Sequence, residues 1–174
     1  MAFVVSLSGM KQLEGKLDNL TTALKEDVGN EINASAIKIQ NQAKRLAPVN
    51  LGQLRGSIDK DRINELTYSV EAKASYAPYV EFGTGPQASV PADFASYAQQ
   101  FKGKSGGKFK DMVEALALWI KRKGIGNGKN DKGLAFIIAL SILRKGMRPQ
   151  PFLIPAYEME KPKLIQRLNK LFNA

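Results

Sequence analysis

The sequence predicts an α+β fold: a small antiparallel sheet packed on a long N-terminal helix and a C-terminal helix, with a helical insertion. Three observations carry this. Apolar residues recur at steps of three and four from Leu13 to Leu46, a period-two run spans Glu65–Ala72, and two further helical patterns lie between residues 86 and 146.

Taken in chain order, Phe3–Leu7 is short, β-branched and apolar, and reads as a strand. Ser8 offers an N-cap hydroxyl to the helix that follows. Leu13, Leu17, Leu20, Leu24, Val28, Ile32, Ala36, Ile39, Ala43 and Leu46 then form one helical stripe. Gly29 and Asn30 weaken its middle, which predicts a kink or two helices, and Pro48 ends it. Leu54–Lys60 and Glu65–Ala72 read as extended segments separated by Asp61–Asn64. In the second, Leu66, Tyr68, Val70 and Ala72 alternate with polar residues, the mark of a half-buried antiparallel strand. Tyr76–Phe82 continues as a strand edge, and Gly83–Pro86 turns the chain.

The chain reads as a single domain over 1–174, with residues 86–146 as a basic helical insertion. Pro91–Phe101 holds a short helical turn, and residues 102–108 and 123–132 are glycine-rich basic loops. Phe109–Lys123 is helical with Met112, Val113, Leu116, Trp119 and Ile120 on one side. Leu134–Lys145 is helical with Phe136, Ile137, Leu140 and Leu143 as its apolar face, closed by Gly146. Pro151–Pro155 reads as extended between its prolines, and Ala156–Phe172 as a last helix with Leu164, Leu168 and Leu171 inward.

Composition closes many chemistries. The chain has no cysteine and no histidine, which removes thiolate and Ser-His-Asp catalysis and the usual zinc ligands, so neither a metal nor another cofactor is expected. Gly83-Thr-Gly85 lacks the downstream Gly-Lys-Ser/Thr of a phosphate loop, and Gly124-Ile-Gly-Asn-Gly-Lys129 follows a helix where such a loop must follow a strand. Asp59 and Asp61 lie two apart and read as solvated acids, too few for a hydrolytic or metal site. A carboxylate or Ser/Lys hydrolase is the remaining enzymatic reading, and the expectation is no enzyme. No apolar run reaches the roughly 20 residues that span a bilayer, and residues 1–5 do not resemble a secretory leader, so a soluble protein made in the cytoplasm is expected.

The net charge of +10 is uneven. Residues 1–100 carry 10 Lys/Arg against 11 Asp/Glu, whereas residues 101–174 carry 16 against 5. Such asymmetry suits an acidic partner or nucleic acid on the C-terminal side. Lys102, Lys104, Lys108 and Lys110 are the candidate phosphate contacts, without the interleaved aromatics of a stacking platform beyond Phe101 and Phe109. A DNA-binding protein is therefore the alternative reading.

Three segments are specific as an ordered set: Ala47-Pro-Val-Asn-Leu-Gly-Gln-Leu-Arg-Gly-Ser-Ile58, Ser75-Tyr-Ala-Pro-Tyr-Val-Glu-Phe-Gly-Thr-Gly85 and Arg148-Pro-Gln-Pro-Phe-Leu-Ile-Pro-Ala156. Together they resemble the Hong Kong 97-type tail-component family, the gene-product-ten-like neck proteins of tailed phages. Asn50-Leu51 departs from the family's usual turn, and the 86–146 region is longer than its pattern. The resemblance implies a structural virion protein of the head-tail junction, forming a ring of its own copies that acts in tail completion and virion assembly. Its implied partners are head-completion or connector proteins and tail terminator or tail tube proteins; the basic C-terminal side adds non-specific contact with genomic DNA as a partner reading, and no membrane partner is expected. The motif residues it marks for assembly are Pro48, Gly52, Leu54, Arg55, Ser57, Tyr76, Tyr79, Glu81, Phe82, Gly83, Thr84, Gly85, Pro151, Phe152 and Pro155, with Arg55 and Glu81 expected to pair.

Overall fold

The apolar stripe is the buried face of one helix, α1 (Thr22–Leu46), in a computed structural model that describes residues 3–6, 22–49, 52–101, 108–126, 128 and 130–173. Val28, Ile32, Ala36, Ile39 and Ala43 are at most 1% exposed, and burying one such branched side chain contributes about 1.5–3 kcal/mol. Leu46, expected inward, is 40% exposed; Ala47 takes the buried position instead. The Ser8 cap and the stripe before Thr22 lie outside the described residues.

No break occurs at Gly29-Asn30: α1 runs through both. Gly29 lies against the chain near Glu65, where an added Cβ would stand 2.9 Å from the Glu65 carbonyl oxygen. Close approach accounts for that glycine.

The chain forms two compact units, 1–77 with 151–174, and 78–150. In the first, α1 packs on a sheet of order β1-β3-β2 and along the C-terminal helix. The strands β1 (Phe3–Ser6), β2 (Ile58–Asn64) and β3 (Thr67–Ala72) are all antiparallel, with Val5 opposite Val70 and Ile58 opposite Ala72. Tyr68, Val70 and Ala72 are buried as their alternation predicts, and Ser69 is buried as well. Two boundaries differ from expectation. Leu54 lies in a short helix, α2 (Gln53–Gly56), and β2 continues through Asp61–Asn64, so the two strands meet in a tight Glu65-Leu66 turn.

The second unit begins within α3 (Ala77–Phe82), so Tyr76–Phe82 is a helical turn and not a strand edge. Pro78 explains the change, since its fixed φ suits the first turn of a helix and it has no N–H to lose there. Two 3₁₀ turns and α4 (Ala95–Gln99) follow, then α5 (Phe109–Lys123) and α6 (Asp131–Lys145), which pack on each other. The expected face of α6 is inverted. Ala135 and Ala139 are fully buried, whereas Phe136, Ile137 and Leu143 are 47%, 65% and 64% exposed. Small residues let two helices approach closely, and that geometry selects the alanine side.

In the first unit, α7 (Leu153–Phe172) starts three residues earlier than expected, so Pro155 sits in its first turn and only Pro151-Phe152 precede it. Pro162 lies inside α7 at an exposed position, where water can satisfy the Glu158 carbonyl that loses its helical donor.

Candidate functional site

The turn after α1 is built from short-range bonds. Gly52 adopts φ 73°, the left-handed conformation that opens α2. Leu54 is buried, and the Ser57 hydroxyl donates to its carbonyl at 2.8 Å. The Ser57 carbonyl accepts from the Lys73 amide at 2.9 Å, and Gln40 on α1 donates to the Ile58 carbonyl at 3.0 Å. These bonds fix where β2 begins against α1 and β3. Phe152, Leu153 and Ile154 are buried in the same unit, so the proline-bracketed segment is a core anchor, while Pro151 is exposed. Burial pushes the Tyr76 phenol pKa up.

In the second unit the glycine motif is clasped by a segment some 63 residues further along. Thr84 bonds Met147 twice: its amide donates to the Met147 carbonyl, and its hydroxyl accepts from the Met147 amide, both at 2.9 Å. The Gln150 amide donates to the Val80 carbonyl at 2.8 Å, and Ser89 to that of Phe82 at 2.8 Å. Gly83 has φ 74°, and a Cβ there would lie 2.5 Å from the Met147 carbonyl oxygen and 2.9 Å from Pro149. Glu81 and Phe82, immediately before this clasp, are buried at 1% and 5% exposure, and Tyr79 is half-buried.

A partly buried polar network joins α1 to α7 in the first unit. Arg167 bonds Glu31 at 2.7 Å, Glu160 at 2.6 Å and the Ser35 hydroxyl, which itself donates to Glu160 at 3.1 Å. Lys38 approaches Glu160 to 3.8 Å. Burial works against the Arg167 charge, but its bonds to Glu160 and Glu31 prevail and hold its pKa above the ordinary value. Two cations meet two carboxylates here, so the cluster closes electrically.

Residues 11–83 match a family model described as "Bacteriophage HK97-gp10, putative tail-component". That stretch is similar to the HK97-gp10-like family. It takes in α1, the turn, β2, β3 and α3, and ends at Gly83, within the clasp. The match supports a structural protein of the phage-tail-component type. Neither a curated protein nor a solved structure matches the chain.

Within the matched segment, Arg55 is exposed on α2 in the first unit, and Glu81 is buried in the second. Asp59 and Asp61 share one side of β2, as their spacing implies, and converge on the Lys73 ammonium at 3.2 and 3.3 Å. Hydrogen bonds to these two acids raise the Lys73 pKa. Among the described residues no group of three or more acids gathers as a metal site would require. Beyond the segment, Lys108 and Lys110 are exposed at the start of α5, while Lys102 and Lys104 lie outside the described residues. The Arg167 network escaped sequence reading because its members lie up to 136 residues apart. Ser35 inside the α1 stripe was its one visible sign.

Proposed function

We propose that the protein is a non-catalytic assembly component of a tailed phage, placed at the head-tail junction of the virion after synthesis in the host cytoplasm. It forms a closed ring of its own copies between head-completion or connector proteins and the tail terminator or tail tube. The observation that carries this reading is the tail-component match over residues 11–83, the stretch that builds α1 and two of the three strands. Such a ring needs two different patches of each subunit to meet. The β2 edge and the turn around Gly52–Ser57 supply one patch, and the Gly83–Gly85 clasp supplies the other. The 86–146 region is then an insertion carried on the ring's surface. Mass photometry of the purified chain, with electron microscopy of the particles, is expected to show rings of one copy number. Absence of the protein from purified virions by mass spectrometry would overturn the assignment.

Phosphate contact with DNA is a second reading, favoured by the charge of residues 78–150, with 12 Lys/Arg against 5 Asp/Glu. An open groove along α1 and α7 in the first unit adds Lys38, Arg45 and Lys163. It predicts DNA affinity that falls steeply with salt and is lost when Lys108 and Lys110 become Glu. The two readings are compatible, because a neck ring surrounds the path of the genome.

A further inference from the structure

The most conspicuous unused surface is the outward face of the α5–α6 hairpin. Phe136, Ile137 and Leu143 on α6 are 47%, 65% and 64% exposed, and Phe109 of α5, 36% exposed, stacks edge-on against Phe136 at 5.5 Å. Leu140, half-buried, continues the same side of the helix. Between Lys132 and Arg144 the helix has no ionisable residue, an eleven-residue stretch. Its charges stand at its ends, Asp131 and Lys132 at the first turn and Arg144 and Lys145 at the last.

We propose that this face is covered by the same face of a second copy of the chain, with the two α6 helices antiparallel about a two-fold axis. Three features on α6 select this occupant. The stretch is free of charge, so two copies meet without like-charge repulsion at the centre. The antiparallel arrangement opposes the helix dipoles, whereas a parallel one aligns them. The area is also sufficient. Four side chains this exposed leave on the order of 400 Å² of apolar surface open, so two copies reach about 1,000 Å² with their polar borders, the lower limit for a specific interface.

The proposal does not rest on the ring reading. A two-fold contact closes on itself, whereas ring contacts run head to tail, so the hairpins would pair subunits between rings or pair free chains before assembly.

The chain has no cysteine, which makes disulfide trapping clean. In the full chain, Ile137→Cys and Leu140→Cys are expected to cross-link into dimers on mild oxidation. Lys132→Cys and Arg144→Cys are expected to cross-link when mixed and little when alone. Sedimentation of the wild type should show concentration-dependent pairing, and Ile137→Glu should raise the dissociation constant at least tenfold. Leu143→Glu serves as the second variant, and an unchanged circular dichroism spectrum shows that both remain folded. If rings form, Ile137→Glu leaves single rings where the wild type forms pairs of rings; loss of rings with retained hairpin cross-links speaks against the ring reading alone. A wild type that stays monomeric at hundreds of micromolar overturns the proposal. So does pairing unaffected by both variants, or a monomer that instead binds vesicles of phosphatidylglycerol and phosphatidylcholine through this face.

Discussion

Two apolar helices in this molecule behave in opposite ways. Along α1 the large side chains, Val28, Ile32 and Ile39, are the buried ones, and the opposite face carries exposed residues such as Glu26, Asp27, Lys38 and Arg45. Along α6 the smallest side chains, Ala135 and Ala139, are buried and the largest face outward. The difference lies in what occupies the other face. In α1, charges on one side leave a single orientation that satisfies both water and core. In α6 no charge lies between Lys132 and Arg144, so periodicity does not orient the helix and close packing against α5 decides.

The sharpest test of this contrast is truncation in α1. Ile39→Ala removes a side chain that is 1% exposed and leaves a cavity, with an expected loss of about 3–4 kcal/mol. Urea unfolding followed by circular dichroism measures it. A loss below about 1 kcal/mol would mean that α1 is not the core helix it is described as.

Next in size is the polar network that holds α1 to α7. Glu160→Ala leaves Arg167 without its closest carboxylate and Ser35 without an acceptor, at a cost of about 3 kcal/mol. The double variant Glu160→Ala with Arg167→Ala should cost less than the sum of the two single changes, because removing Arg167 then no longer strands the buried Glu160 carboxylate. Strict additivity would show that the two side chains act independently.

How much of this was legible depended on how local the cause was. The α1 stripe, the period-two β3 strand, α5 and the Gly146 helix stop are each set by residues within a few turns of each other, and each was readable. Tyr76–Phe82 reads as a continuation of the strands before it, while Pro78 pre-sets a helical first turn. The Gly83-Thr84-Gly85 turn was visible, but its partner Met147 was not, since only the folded chain brings them together. The inverted face of α6 was hidden for a different reason: a helix apolar on all sides gives pattern reading nothing to choose between.

Gly83→Ala tests the clasp at a smaller scale. The left-handed backbone strains any Cβ, and the Met147 carbonyl and Pro149 stand in its way, so a destabilisation of about 2 kcal/mol is expected. Trp119, the single tryptophan, lies in the same unit, so its fluorescence during urea unfolding reports the loss. Gly85→Ala, whose Cβ would stand 3.3 Å from Gly146, should cost less, and a reversed order would reassign the tight point of the clasp.

The smallest expected effect is also the one that most directly reads the contrast between the two helices. Ile137 matches Ile39 in chemistry and lies, like it, in the body of an apolar helix, yet it is 65% exposed where Ile39 is 1%. Ile137→Ser, measured by Trp119 fluorescence at a concentration where the chain is monomeric, should therefore change stability by no more than about 0.5 kcal/mol. A loss near that of Ile39→Ala would place Ile137 in the core and return α6 to the orientation its large residues suggest. A null result in the monomer, joined to weakened pairing at high concentration, would mean that the hydrophobic surface α6 withholds from its own unit is reserved for another chain.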